Sequence, residues 1–147
     1  MDTNFKNIHI GSYIKQRKIE LEIENSRVCK FIKCNEEDIE EMFLQSDLNT
    51  SVLLKWSKIL EYDFFRLYSQ HLILFSPAAR RNPNETKKIS QLPHFRKSIY
   101  TKEIIEFILD LINSGEKTKQ EIINEYRIPK TTLFKWILKY DDRQTDG

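Results

Sequence analysis

Lys130, Thr131, Thr132, Lys135 and Lys139 share one side of the segment PKTTLFKWILKY, residues 129–140, and that segment carries no carboxylate. Leu133, Trp136, Ile137 and Tyr140 recur at helical spacing and take the opposite face. Ammonium groups neutralise phosphates, and short hydroxyl side chains can donate to and accept from base edges. Both kinds near the N-terminal end of one helix are what readout of a DNA major groove requires. Arg127, just before this helix, and Lys119, at the start of the helix before it, extend the candidate DNA-binding set. The plainer reading is a solvated basic face on a small helical bundle, and the residues alone leave both open.

No other pattern carries comparable chemistry. The sequence has no glycine-rich phosphate loop, nucleophile elbow or HExxH element. His9, His71 and His94 are scattered and read as structural or solvated. Cys29 and Cys34 stand five apart in a helical pattern, too few ligands for a metal, and read as small buried hydrophobes in a reducing compartment. The run Tyr62, Phe64, Phe65 and Tyr68 reads as core. The expectation is a chain with no catalytic residues, no metal and no cofactor.

The elements that must position the basic face are helices. The chain has 147 residues with only 3 Gly and 4 Pro, enough for one medium domain or two small ones. No stretch approaches the roughly 20 apolar residues of a membrane span, and the N-terminus lacks a signal-peptide pattern, so a cytoplasmic protein is expected. The net charge of +2 is unevenly laid out. Residues 1–75 carry 10 basic and 12 acidic groups, net −2; residues 76–100 carry 6 and 1, net +5; residues 101–147 carry 8 and 9, net −1. The basic middle, SPAARRNPNETKKISQLPHFRKSIY, holds Pro77, Pro83 and Pro93 and reads as a linker. Arg80 and Arg81 in it suit either a basic arm in a minor groove or a solubilising tether.

Before the linker, apolar spacing predicts five short helices. The first carries Ile10, Tyr13, Ile14 and Ile19. The second starts from Ser26 as N-cap and carries Val28, Cys29, Phe31 and Ile32. The third begins near Asn35 with Glu36, Glu37 and Asp38 in its first turn, where acids suit the helix dipole. The fourth opens at Thr50 or Ser51, and the fifth follows Asp63. After the linker, Thr101 caps a sixth, Thr118 and Glu121 form a capping box on a seventh, and Pro129 opens the last. The prediction is an all-α chain of two small helix-turn-helix-like bundles: residues 1–76, a linker at 77–99, and residues 100–147.

Residues 115–140, GEKTKQEIINEYRIPKTTLFKWILKY, resemble the helix-turn-helix of insertion-sequence transposase proteins of the orfA type, with Thr132, Leu133 and Trp136 in the T-L-x-x-W places. Arg127 stands where such turns usually carry glycine, so a non-glycine residue at positive φ is expected there. Residues 8–68 resemble the xenobiotic-response-element type of helix-turn-helix found in phage repressors. In that frame the recognition helix would be NEEDIEEMF, whose five carboxylates, Glu36, Glu37, Asp38, Glu40 and Glu41, would be repelled by phosphates. The whole chain looks like a group of short bacterial proteins, common in the Bacteroidetes, labelled transposase. A transposase active site needs a carboxylate triad and two metal ions on a sheet-based domain, for which 147 helical residues leave no room.

The expected function is therefore non-catalytic binding of double-stranded DNA, as a transcriptional regulator or a transposon-derived accessory protein. The first unit would serve partner binding or a homodimer, the latter because the run Phe64–Phe75 is more apolar than one small core needs. The alternative is a protein-interaction adaptor with no nucleic acid.

Overall fold

A computed structural model describes residues 4–76, 83–84, 89–95 and 100–141. Those residues form eight helices and no strand, so the fold is all-α. The helices are α1 (Ile10–Glu20), α2 (Asn25–Ile32), α3 (Glu36–Leu44), α4 (Thr50–Ile59), α5 (Phe65–Phe75), α6 (Lys102–Asn113), α7 (Lys119–Tyr126) and α8 (Lys130–Asp141). The chain divides into two compact units, Met1–Ser69 and Gln70–Gly147. The division falls inside α5, whereas the sequence reading ends the first unit at residue 76. Gln70 is buried and its side-chain oxygen accepts from the Thr101 hydroxyl at 3.3 Å; Leu74 is buried, and Phe75 meets the Tyr126 ring edge-on at 6.5 Å. These second-unit contacts use part of the apolar run that suggested a homodimer.

In the first unit, α1 and α3 are joined through the backbone. The N–H groups of Ile10 and Gly11 donate to the carbonyls of Ser46 and Gln45 at 3.1 and 3.0 Å. Donors that a helix start leaves unpaired thus meet carbonyls just past a helix end. His9 completes the joint. Its Nδ1 accepts from the Ser12 N–H at 3.2 Å, which leaves Nε2 to donate to the Leu44 carbonyl, also 3.2 Å away. The close approach requires glycine at position 11, since a Cβ there would lie 2.4 Å from the carbonyl oxygens of both Met42 and Phe43. Around this joint Ile14, Val28, Ile39, Trp56 and Phe64 are fully buried, and the Trp56 indole N–H donates to the Met42 sulfur at 3.2 Å.

Several local expectations need correction. The N-cap of α2 is Glu24, which makes no side-chain cap bond, while Ser26 lies inside the helix and its hydroxyl turns back to the Glu24 carboxylate. α4 opens at Thr50 as expected, with Asn49 as its cap. Pro129 precedes α8, where its carbonyl accepts from the Leu133 N–H at 3.0 Å. Ile19 is exposed, because the buried stripe of α1 runs through Ile10, Gly11 and Ile14. Cys29 and Cys34 are half-buried rather than core, since they sit at the end of α2 and in the turn that follows.

Among the described residues, four non-glycine residues take positive φ: Glu22, Lys33, Glu61 and Arg127. Each lies just past a helix. A left-handed residue lets the chain fold back over the last turn and satisfy its carbonyls. With 3 glycines in the chain, this work falls to long polar residues whose side chains can stay in water.

Candidate nucleic-acid interface

In the second unit α6 and α7 both pack against α8. Thr101 caps α6 through the Ile104 N–H, and Thr118 with Glu121 forms a reciprocal capping box on α7. Each cap fixes where the apolar stripe begins, so that Ile104, Ile108 and Ile122 are fully buried beside Leu133. Trp136 is also buried and meets the Tyr100 ring edge-on at 5.0 Å, while Tyr126 meets Phe107 edge-on at 6.4 Å. Both aromatics are therefore core residues of this unit.

Three residues, Arg127, Ile128 and Pro129, separate α7 from α8. Arg127 takes the left-handed conformation expected of it, with φ 55° and ψ 33°. Its side chain is exposed, while Ile128 turns inward and is buried. This tight turn joins the end of α7 directly to the start of α8.

On the outward side of α8 the side chains of Lys130, Thr131, Lys135 and Lys139 are exposed, and Thr132 is half-buried. Lys119, the first residue of α7, is exposed as well, and its Nζ lies 5.4 Å from the centre of the Phe134 ring. Lys130 approaches the same ring to 5.7 Å. Phe134 thus brings Lys119 and Lys130, one from each helix, into one cluster. Among the described residues none of Lys119, Lys130, Lys135 and Lys139 is in an ion pair. The nearby carboxylates are engaged elsewhere: Glu121 in the cap of α7, and Glu125 with Lys117. Arg80 and Arg81 lie outside the described residues.

Two residues of this surface were not anticipated. Phe134 is 37% exposed and Leu138 69% exposed, four apart on α8. The helix carries more apolar residues than its buried face can hold, and that surplus was the signal available in the sequence. The outer face is therefore mixed, with apolar groups set between lysines. Each exposed cation–π contact contributes on the order of 0.5–1 kcal/mol. That is enough to bias the two lysines towards the ring but too little to fix them.

The first unit repeats the arrangement with the opposite charge. Lys33, Cys34 and Asn35 separate α2 from α3, and Lys33 is left-handed with φ 62°. Asn35 and Asp38 form a reciprocal capping box, so the Asp38 carboxylate is occupied at the cap. The remaining acids of α3, Glu36, Glu37, Glu40 and Glu41, are exposed and make no ion pair among the described residues. Leu44, at the end of the same helix, is 80% exposed.

Among the described residues no group of three or more His, Cys, Asp or Glu side chains is placed to hold a metal ion. No helix among them is long and apolar enough to cross a membrane. No family model matches the chain, and neither the curated proteins nor the solved structures show a match to it.

Proposed function

We propose that this chain is a non-catalytic DNA-binding protein, a transcriptional regulator or an accessory protein of transposon descent, and that α8 docks in the major groove of double-stranded DNA. The observation that carries the reading is the surface of Lys119, Lys130, Lys135 and Lys139, four exposed lysines free of ion pairs among the described residues. A helix of 12 residues spans about 18 Å, and a groove roughly 12 Å wide accepts it. Lys130 and Lys119 flank its leading end and suit the phosphates on either side. Thr131, in the first turn, suits a base edge, and Phe134 suits the methyl group of a thymine. Lys135 and Lys139 would follow the backbone further along, and Arg127 would add a cation at the turn. Arg80 and Arg81 would add phosphate affinity from the linker. The resemblance of residues 115–140 to the orfA type of helix-turn-helix supports the same reading.

The first unit would not read DNA through α3. Four exposed carboxylates against a phosphate backbone raise the energy of the complex at every salt concentration, and most at low salt. That unit would bind a protein partner or a second copy. The second reading, an adaptor without nucleic acid, is favoured by this acidic face alone.

The test is a mobility-shift assay on genomic fragments with the full chain and with the triple variant Lys130→Ala, Lys135→Ala, Lys139→Ala. The reading requires that the wild type shifts DNA and that the folded triple variant loses most of that affinity. Equal binding by the two proteins would refute docking through α8.

A further inference from the structure

Cys29 and Cys34 occupy a helix ending that brings their side chains together. Lys33 is left-handed, with φ 62° and ψ 57°, and the N–H groups of both Lys33 and Cys34 donate to the Cys29 carbonyl, at 2.9 and 3.2 Å. The bond from Cys34 closes the end of α2 by a six-residue loop. In endings of this kind the residue after the left-handed one folds back over the last helical turn, and the two positions are usually filled by apolar side chains in contact. Here they are filled by two cysteines, both free thiols and both half-buried. A direct N–H to carbonyl bond between two residues holds their Cα atoms about 5–6 Å apart, the span a disulfide bridges. The Cys34 thiol is pushed up by burial, and further by Cys29 and Asp38 beside it.

We infer that Cys29 and Cys34 form a reversible dithiol–disulfide pair that closes the turn between α2 and α3, with small-molecule disulfides as oxidant. One thiolate attacks a sulfur of the small disulfide, forming a mixed disulfide and releasing one small thiol. The second cysteine then displaces the other half, forming the intramolecular S–S bond and releasing a second small thiol. Two protons and two electrons pass from the cysteine pair to the two released thiols. The closed form holds Lys33 in its left-handed conformation, and so fixes the turn that leads into the acidic helix α3. The inference does not rest on the DNA-binding reading.

The full chain is equilibrated with mixtures of reduced and oxidised glutathione, trapped with an alkylating reagent and analysed by intact mass and tryptic digestion. Cleavage after Arg27, Lys30 and Lys33 separates the two cysteines into different peptides. The expected product is residues 28–30 disulfide-linked to the peptide that begins at Cys34, in a monomer with no free thiol. Bridging should be at least tenfold more favourable in the native chain than in concentrated urea, because the folded turn holds the sulfurs together. Cys29→Ser and Cys34→Ser should each stop at the mixed disulfide with glutathione. Two glutathione adducts without a bridge, or a bridging equilibrium no better folded than in urea, would overturn the inference.

Discussion

Adding one methyl group at Gly11 should destabilise the first unit more than any surface change in it. The Cβ of an alanine would sit 2.4 Å from two carbonyl oxygens and 2.6 Å from the Phe43 carbonyl carbon. A carbon ordinarily approaches a carbonyl oxygen no closer than about 3.3 Å, so α1 must retreat from α3 by roughly 1 Å. The obstacle is backbone, which no rotamer change can clear. The retreat stretches the bonds from Ile10 and Gly11 to Ser46 and Gln45, now 3.1 and 3.0 Å, beyond useful range. Both residues are buried, so each lost bond costs about 1–3 kcal/mol. Higher helix propensity of alanine offsets up to about 1 kcal/mol. The two bonds together cost about 2–6 kcal/mol, so the net loss is about 1–5 kcal/mol, and the melting temperature should fall by about 4–8 °C for each kcal/mol. The chain has two tryptophans, one in each unit. In a Trp136→Phe background, Trp56 emission therefore reports the first unit alone. A Gly11→Ala variant that melts with the wild type would refute the close approach of α1 and α3.

Other predictions concern the second unit. Trp136→Ala should cost about 3–5 kcal/mol and unfold α6–α8, seen as lost helical circular dichroism. An unchanged melt would show that the side chain is not core. Arg127→Gly should raise stability by about 0.5–1 kcal/mol, because glycine takes positive φ freely but gains entropy when unfolded. It should also weaken DNA binding slightly, and a loss of stability would contradict the left-handed turn. Phe134→Ser should keep general DNA affinity but lose preference for thymine. In a selected binding site, replacing thymine by deoxyuridine should weaken the wild type and leave Phe134→Ser unaffected. Equal sensitivity of the two proteins would remove Phe134 from base readout.

Features set by neighbours in sequence were legible in the sequence. Thr118 with Glu121 forms its box within four residues, Thr101 caps α6 as its position before the apolar stripe implies, and α3 begins just after Asn35 with its acids in the first turn. Arg127 could be assigned positive φ because it stands where the turns that this segment resembles usually carry glycine. What depends on distant partners was not legible. The need for glycine at position 11 comes from carbonyls 31 and 32 residues away, at Met42 and Phe43. Gln70 is buried because Thr101 answers it. Lys130, Thr131, Lys135 and Lys139 were found because charge on one helical face is a local pattern. Phe134 and Leu138 were missed because an apolar residue reads as core until the buried face is full.

Docking through α7 and α8 requires that four lysines meet phosphates, and the salt dependence of DNA binding counts them. Each phosphate neutralised on duplex DNA adds about −0.9 to the slope of log affinity against log salt. With Lys119, Lys130, Lys135 and Lys139 engaged, the slope should lie between about −3.5 and −6.5, with Arg127, Arg80 and Arg81 accounting for the steeper end. Each lysine-to-alanine change should make it shallower by about one. No binding at low salt, or a slope that stays the same in all four single variants, would rule out phosphate contacts by these lysines.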